Sequence, residues 1–323
     1  MRKFSMAAVA MMAGAGFVLA GCGQVGQLKG RMAFKDANTL YQQQDYRKAA
    51  TKYEEALAAC NSEGACTDPV LSAAYFYVAN SYDNLYKPAR KGEADNDSMI
   101  QKAIENYKLA GEHALDPLIK RRSLEFLVAA YGADKLNDPS QSEPIIQKMI
   151  ELDPKDTQNY FVLAKIYEDT GNYEQAEATY LKAKEMKPND PNVHVQLAGY
   201  YNRQGDFEKT MQAFQDRATI EPNNPEAYYT MATYYWEKAQ RDFRIPEADK
   251  RKYVELGMQN ADKALSLKND YFEALTYKNL LLRTQANLEK NPARQQELIK
   301  EADKYRDRAI EIQKQKKQAG ATE

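Results

Sequence analysis

Three cysteines, two histidines and a few neighbouring acids are the residues of this chain whose types could do chemistry. Cys22 follows Leu19-Ala20-Gly21, while Cys60 and Cys66 are separated by Asn-Ser-Glu-Gly-Ala. A structural metal site needs about four ligands, and no histidine or further cysteine lies near the second pair to complete one. His113 and His194 stand alone in no metal-binding spacing. Glu54-Glu55 reads as an exposed helix face, and Asp95-Asn96-Asp97 reads as loop, lacking the glycine and terminal glutamate of a calcium loop. No nucleophile, base or phosphate-cradling loop emerges. The chain therefore reads as a non-enzyme, with no catalytic residue, no metal, no cofactor and no small-molecule substrate.

The first 21 residues have the layout of a targeting segment. Arg2 and Lys3 supply a positive start, Phe4 to Leu19 form an uncharged run rich in Ala and Met, and small residues close it. That run is short of the roughly 20 apolar residues of a spanning helix. Gly14-Ala15-Gly16 would leave with it. Leu19-Ala20-Gly21-Cys22 resembles the bacterial lipobox. The resemblance implies cleavage before Cys22, a diacylglyceryl group on its thiol and an acylated new amino terminus, hence a permanent membrane anchor. Gly23 is not the aspartate that resembles an inner-membrane retention signal, which points to the outer membrane, facing the periplasm. Residues 22–30 contain three glycines after the cysteine and predict a flexible tether of at most roughly 25 to 30 Å. An oxidising compartment also favours pairing of Cys60 with Cys66 across a small polar loop. Two free thiols at a helix end are the alternative.

Composition limits what these residues can belong to. Charged residues make up 28 % of the chain, with 23 tyrosines against only 15 glycines and 12 prolines, a balance that favours ordered helix over loop-rich structure. Without Arg2 and Lys3, 43 basic residues face 46 acidic ones, which leaves no electrostatic footprint for nucleic acid.

Internal repetition supplies the scaffold. Pro154, Pro188 and Pro222 recur every 34 residues, as do Tyr167, Tyr201 and Tyr235, and Ala164, Ala198 and Ala232. Leu163, Ala164 and Tyr167 fall on one face of a first helix; Tyr173, Ala176, Tyr180 and Ala183 do so on a second, with Gly171 between them and Pro188 after. Together with Tyr160, these residues over 157–190 resemble the tetratricopeptide repeat. The resemblance implies an all-α fold, a right-handed α-solenoid of stacked helix-turn-helix hairpins, expected over 31–318 as repeats 31–67, 68–116, 117–156, 157–190, 191–224, 225–271 and 272–318, with a disordered tail at 319–323. Thr210 and Arg217 replace the two second-helix alanines of the fifth repeat, predicting looser packing there. Extra residues, 13 after Gln240 and about 12 in the second repeat, are predicted to project from one end of the stack.

In this family the first helices line a concave face. The matching positions hold Phe76, Asn80 and Asp83; Phe161, Lys165, Glu168 and Asp169; Gly199, Asn202 and Arg203; and Tyr229, Thr233, Trp236 and Glu237. Gly199, which costs about 1 kcal/mol relative to alanine inside a helix, is predicted to open a niche between Phe161 and Tyr229 beside the sole tryptophan. Lysines that clamp a terminal carboxylate in some relatives are replaced by Phe76, Phe161 and Tyr229. The expected partners are envelope proteins or peptides in the groove and the membrane through the lipid on Cys22. General resemblance to repeat lipoproteins of outer-membrane β-barrel assembly and pilus assembly implies a scaffold in assembly of outer-membrane or secretion components; regulation of cell-wall enzymes is the alternative.

Overall fold

In the computed structural model, residues 26–63 and 66–320 are described, and they are helical throughout apart from short turns. In chain order the helices are α1 (26–42), α2 (Tyr46–Cys60), the single turn α3 (Pro69–Ser72), α4 (Ala74–Leu85), α5 (Ala94–His113), α6 (Pro117–Tyr131), α7 (Pro139–Leu152) and α8 (Thr157–Asp169). There follow α9 (Tyr173–Met186), α10 (Pro191–Arg203), α11 (Phe207–Ile220), α12 (Pro225–Arg241), α13 (Glu247–Leu267), α14 (Phe272–Leu288) and α15 (Pro292–Gly320). Taken in succession with α3 set aside, they make seven helix-turn-helix pairs, hairpins one to seven. The chain divides inside α9 into two compact units, one through Ala176 and one from Glu177.

Local chemistry sets the hairpin ends. Asp156, Asp190 and Asn224 cap α8, α10 and α12 by accepting from the backbone N–H two residues on, and Pro191 and Pro225 take first-turn positions where a missing N–H costs nothing. Gly171 and Gly205 turn hairpins four and five with φ of +79° and +76°, the left-handed region open to glycine. Gln44 occupies that turn in hairpin one with φ +62°. Small side chains let second helices approach closely: Ala49, Ala56, Ala103, Ala110, Ala261 and Ala264 are completely buried.

Several expectations change. The glycine-rich segment assigned as tether is helical from residue 26, and a Cβ on Gly30 would stand 2.9 Å from Leu71 Cδ1 and 3.2 Å from the Ala56 carbonyl. Gly30 serves close approach of α1 to its neighbours, so residues 26–30 belong to the folded body. At the other end α15 continues through Gly320, replacing the disordered tail at residues 319 and 320; 321–323 lie outside the described residues, as do the leader at 1–21 and Cys22. The extra residues are absorbed mainly by longer helices. α12 and α13 have 17 and 21 residues where α10 and α11 have 13 and 14, and α5 has 20. Asn96 is not loop: buried on α5, it accepts from Lys87 N (2.8 Å) and donates to the Lys87 and Arg90 carbonyls, holding the turn before the helix. Nor is hairpin five loosely packed. Thr210 is fully buried with its hydroxyl donating to the Asp206 carbonyl (2.7 Å), and Arg217 pairs with Glu221 (3.0 Å) and Glu226 (3.3 Å).

Candidate functional site

The first helices of hairpins six and seven bring together a partly exposed aromatic surface within the C-terminal unit. α12 starts behind Asn224, whose side chain accepts from Glu226 N (3.0 Å), and this start places Tyr229, Thr233 and Trp236 at helical spacing on one face. α13 packs against both α12 and α14 because residue 257 is glycine: a Cβ there would lie 2.7 Å from Leu281 Cδ2 and 3.3 Å from Tyr235 Cβ. α14 then meets α12 directly. Tyr229 touches Tyr271 and Tyr277 at ring distances of 5.4 and 5.7 Å, and Trp236 touches Tyr277 at 5.5 Å, all edge to face. That geometry matches negative ring faces to positive ring edges.

All four rings remain half-buried, so each keeps area for a partner. The Thr233 hydroxyl donates to the Tyr229 carbonyl (3.1 Å), within α12. Lys268 Nζ stands 5.2 Å from the centre of the Tyr271 ring. Burial, reinforced by Glu273 and Glu226, pushes the Tyr271 phenol up to about 12. Burial also raises the Tyr229 phenol, against a lowering hydrogen bond with Thr233. Both hydroxyls therefore stay neutral across the physiological range. Such a surface offers apolar area and neutral hydrogen-bonding groups, which suits recognition of a side chain or helix.

The other expected groove positions have different surroundings. Phe76 is 6 % exposed and packs against Tyr77, Tyr107 and Phe126 at 5.4, 5.9 and 5.5 Å. Asn80, equally buried, accepts from Tyr41 Oη (2.5 Å) and donates to Tyr107 Oη (3.2 Å), which donates to Asp83 Oδ2 (3.2 Å); Lys135 completes the network on Asp83. Phe76 and Asn80 are thus corrected from groove to core, because rings from α5 and α6 cover them. Phe161 and Glu168 are corrected likewise, being 4 % and 8 % exposed. Lys165 is exposed and paired with Asp169 (2.5 Å).

Asn202 and Arg203 are exposed on α10. The predicted apolar niche over Gly199 is also corrected: the position a Cβ would take is 3.3 Å from the Arg203 guanidinium, one turn along the same helix. Tyr229, Thr233 and Trp236 are the expected residues that the structure brings into one surface. Tyr271 and Tyr277 were missed, since the last repeat carries few signature residues; their signal was aromatic enrichment at the start of α14.

Cys60 and Cys66 are joined by a disulfide with Cα atoms 5.0 Å apart, closing the turn between hairpins one and two. Asn61 fastens the same turn, its side chain accepting from Cys66 N (3.1 Å) and donating to Tyr75 Oη (2.8 Å). Among the described residues no helix is long and apolar enough to cross a membrane.

Residues 135–198 match the tetratricopeptide repeat family. Among solved structures, the C-terminal part of a TPR repeat-containing protein from Cytophaga hutchinsonii is similar over 86 % of this chain and 98 % of its own, at 16 % identity and a TM-score of 0.53. A tetratricopeptide repeat protein from Parabacteroides merdae aligns over 85 % and 99 % at 13 % identity, with a TM-score of 0.46. YrrB, described as a TPR protein with an unusual peptide-binding site, aligns over 61 % and 89 % at 18 % identity, with a TM-score of 0.40. No curated protein sequence matches the chain. The fold is accordingly that of tetratricopeptide-type α-solenoids.

Proposed function

We propose that this chain is a non-catalytic, lipid-anchored scaffold of the cell envelope that captures another protein on the aromatic surface of α12 and α14. The observation that carries the reading is the partial exposure of Tyr229 and Trp236 on α12 and of Tyr271 and Tyr277 at the start of α14. A fold that only needed to pack would bury these rings, as hairpin two buries Phe76. Aromatic anchors that lose their remaining water contact on binding are the usual carriers of binding energy, and tyrosine and tryptophan are enriched among them. The anchor is the acylated Cys22, supported by the four-residue box before it, and the address is the periplasmic face of the outer membrane. Within that setting the scaffold serves assembly of outer-membrane or secretion components.

Photo-crosslinking tests this reading. A crosslinking amino acid replacing Thr233 in the intact, anchored protein should trap a defined envelope protein, and Trp236→Ala with Tyr277→Ala should reduce that adduct about tenfold or more. Porin-like or secretin partners support assembly, whereas cell-wall enzymes replace it with a regulatory role. Unchanged trapping in the double variant would remove the aromatic surface as the binding site.

A further inference from the structure

The N-terminal unit carries an apolar rim at one edge. Of its seven large apolar side chains exposed among the described residues, six are Leu28 (61 %), Met32 (62 %), Val70 (51 %), Leu115 (47 %), Leu118 (53 %) and Leu152 (68 %). They belong to different hairpins but to one kind of place: the start of a first helix, the end of a second, or the turn between hairpins. Contacts join these places into a continuous edge. Gly26 lies against Ala59 and Ser62, Arg31 pairs with Asp68 (2.8 Å), and Leu115 N donates to Ser72 Oγ (3.1 Å). Farther along, Arg121 reaches Asp156 (2.7 Å), and Leu124, Met149 and Leu152 line a cavity of about 260 Å³ between α6, α7 and α8.

The chain enters this unit at the same edge. Only Gly23, Gln24 and Val25 separate Cys22 from the first described helical residue, Gly26. Four residue steps span at most about 14 Å. Leu28 and Met32 lie within about 9 Å of the start of α1 along its axis, comparable with the roughly 5 to 10 Å depth of an interfacial apolar face. We infer that this edge is a membrane-docking face: the six side chains enter the headgroup and acyl boundary of a phospholipid bilayer and fix how the N-terminal unit stands on it. The inference rests on acylation of Cys22, which brings the edge to the lipid surface. Charge selects the lipid little, because Lys29, Arg31, Lys120, Arg121, Arg122 and Lys155 are nearly balanced by Asp68, Glu112, Asp116, Asp153 and Asp156 along the same edge. Docking is thus driven by apolar partition, and its dependence on salt and on anionic lipid is weak.

The test uses the full-length, processed protein in phosphatidylethanolamine vesicles with or without phosphatidylglycerol. Single variants Leu28→Cys, Leu118→Cys and Leu152→Cys carry an environment-sensitive fluorophore, and Asp134→Cys, in the turn between α6 and α7, is the control. Mass spectrometry first establishes whether Cys22 is acylated. With acylated protein, a nitroxide lipid should quench the three edge labels about fivefold more than the control, with either lipid and at high salt. Equal quenching at all four positions on anchored protein overturns the docking face and leaves the anchor intact. Unacylated Cys22 overturns the anchor instead; vesicle binding by that protein, weakened about tenfold by Leu118→Glu with Leu152→Glu, then still supports the edge, and no binding overturns it. Sedimentation showing a dimer dispersed by the same pair would assign the edge to a second copy and overturn the lipid proposal.

Discussion

Phe76, Asn80 and Asp83 in hairpin two stand at the same repeat positions as Tyr229, Thr233 and Trp236 in hairpin six, yet the first three are buried and the second three stay partly exposed. The repeat sets where each side chain leaves its helix. Its neighbours decide whether it stays in water. Around hairpin two, Tyr107 from the lengthened α5 and Phe126 from α6 close over Phe76, and the polar groups beside it complete one another's hydrogen bonds. Around hairpin six the neighbouring rings, Tyr271 and Tyr277, meet Tyr229 and Trp236 edge on and leave part of every ring uncovered. A first-helix aromatic is therefore open to a partner only where the adjacent hairpin leaves it uncovered.

The largest expected effect breaks this contrast directly. Phe76→Ala should destabilise the N-terminal unit by about 3 to 5 kcal/mol, the cost of removing a buried aromatic and leaving a void. Trp236→Ala should cost less, about 2 kcal/mol, since the indole packs on Ala232 and Leu281 but keeps part of its surface in water. Denaturant unfolding measures both. The crosslinking yield at position 233 should respond in the opposite sense, falling with Trp236→Ala and remaining with Phe76→Ala under conditions where that variant is folded. Equal destabilisation by the two substitutions would show that the α12 surface is structural.

A smaller effect separates the polar groups of the two regions. Tyr107→Phe removes a hydroxyl shared by Asn80 and Asp83, and leaving those buried partners short of a bond should cost about 1 to 2 kcal/mol near neutral pH. Alkali adds a second reading. Burial, with Asp83 adding to it, raises the Tyr107 phenol far above its usual value of 10.0, so the folded state favours the neutral form. That stability is fully present below the ordinary tyrosine range and declines once the unfolded chain can ionise, at higher pH. The wild-type unit should lose stability above about pH 10 more steeply than Tyr107→Phe. In spectrophotometric titration Tyr271 should ionise near 12, while Tyr107 should ionise only with unfolding. A Tyr107 phenolate in the folded protein would show that α5 does not seal hairpin two.

How much of this was legible in the sequence follows from the same distinction. The 34-residue recurrence of Pro154, Pro188 and Pro222, together with aspartate or asparagine caps, marks hairpin boundaries through backbone chemistry local to each turn. Helices accordingly begin three residues after each of these prolines, at Thr157, Pro191 and Pro225. Burial of Phe76, Asn80, Phe161 and Glu168 was not legible, because it depends on surroundings beyond the repeat itself; for Phe76 these are Tyr107 and Phe126. Gly30 misled for a related reason. In sequence it suggests freedom, whereas here it is small because Leu71 and the Ala56 carbonyl leave no room for a Cβ. That Trp236 and Tyr229 share a helix face is legible from their spacing, whereas their contact with Tyr277 depends on the packing of α12 on α14.

The smallest effect reverses the terms of the comparison, keeping the surroundings alike and changing the residue. The turns inside hairpins one, four and five place Gln44, Gly171 and Gly205 in the same left-handed region, with φ of +62°, +79° and +76°. Backbone hydrogen bonding there is equivalent: Asp45 N donates to the Leu40 carbonyl as Asn172 N does to Tyr167 and Asp206 N does to Tyr201. The turn is therefore dictated by the hairpin, and glutamine adopts it at the cost of crowding between its Cβ and the backbone, about 1 kcal/mol or somewhat more. Gln44→Gly should recover part of that cost, offset by the greater freedom of glycine in the unfolded chain. The net expectation is a gain of about 0.5 kcal/mol, read as a rise in the denaturant midpoint at constant slope. A loss of stability would mean that the Gln44 side chain contributes to the turn more than its backbone strain removes, and that hairpin one holds its turn by a different balance from hairpins four and five.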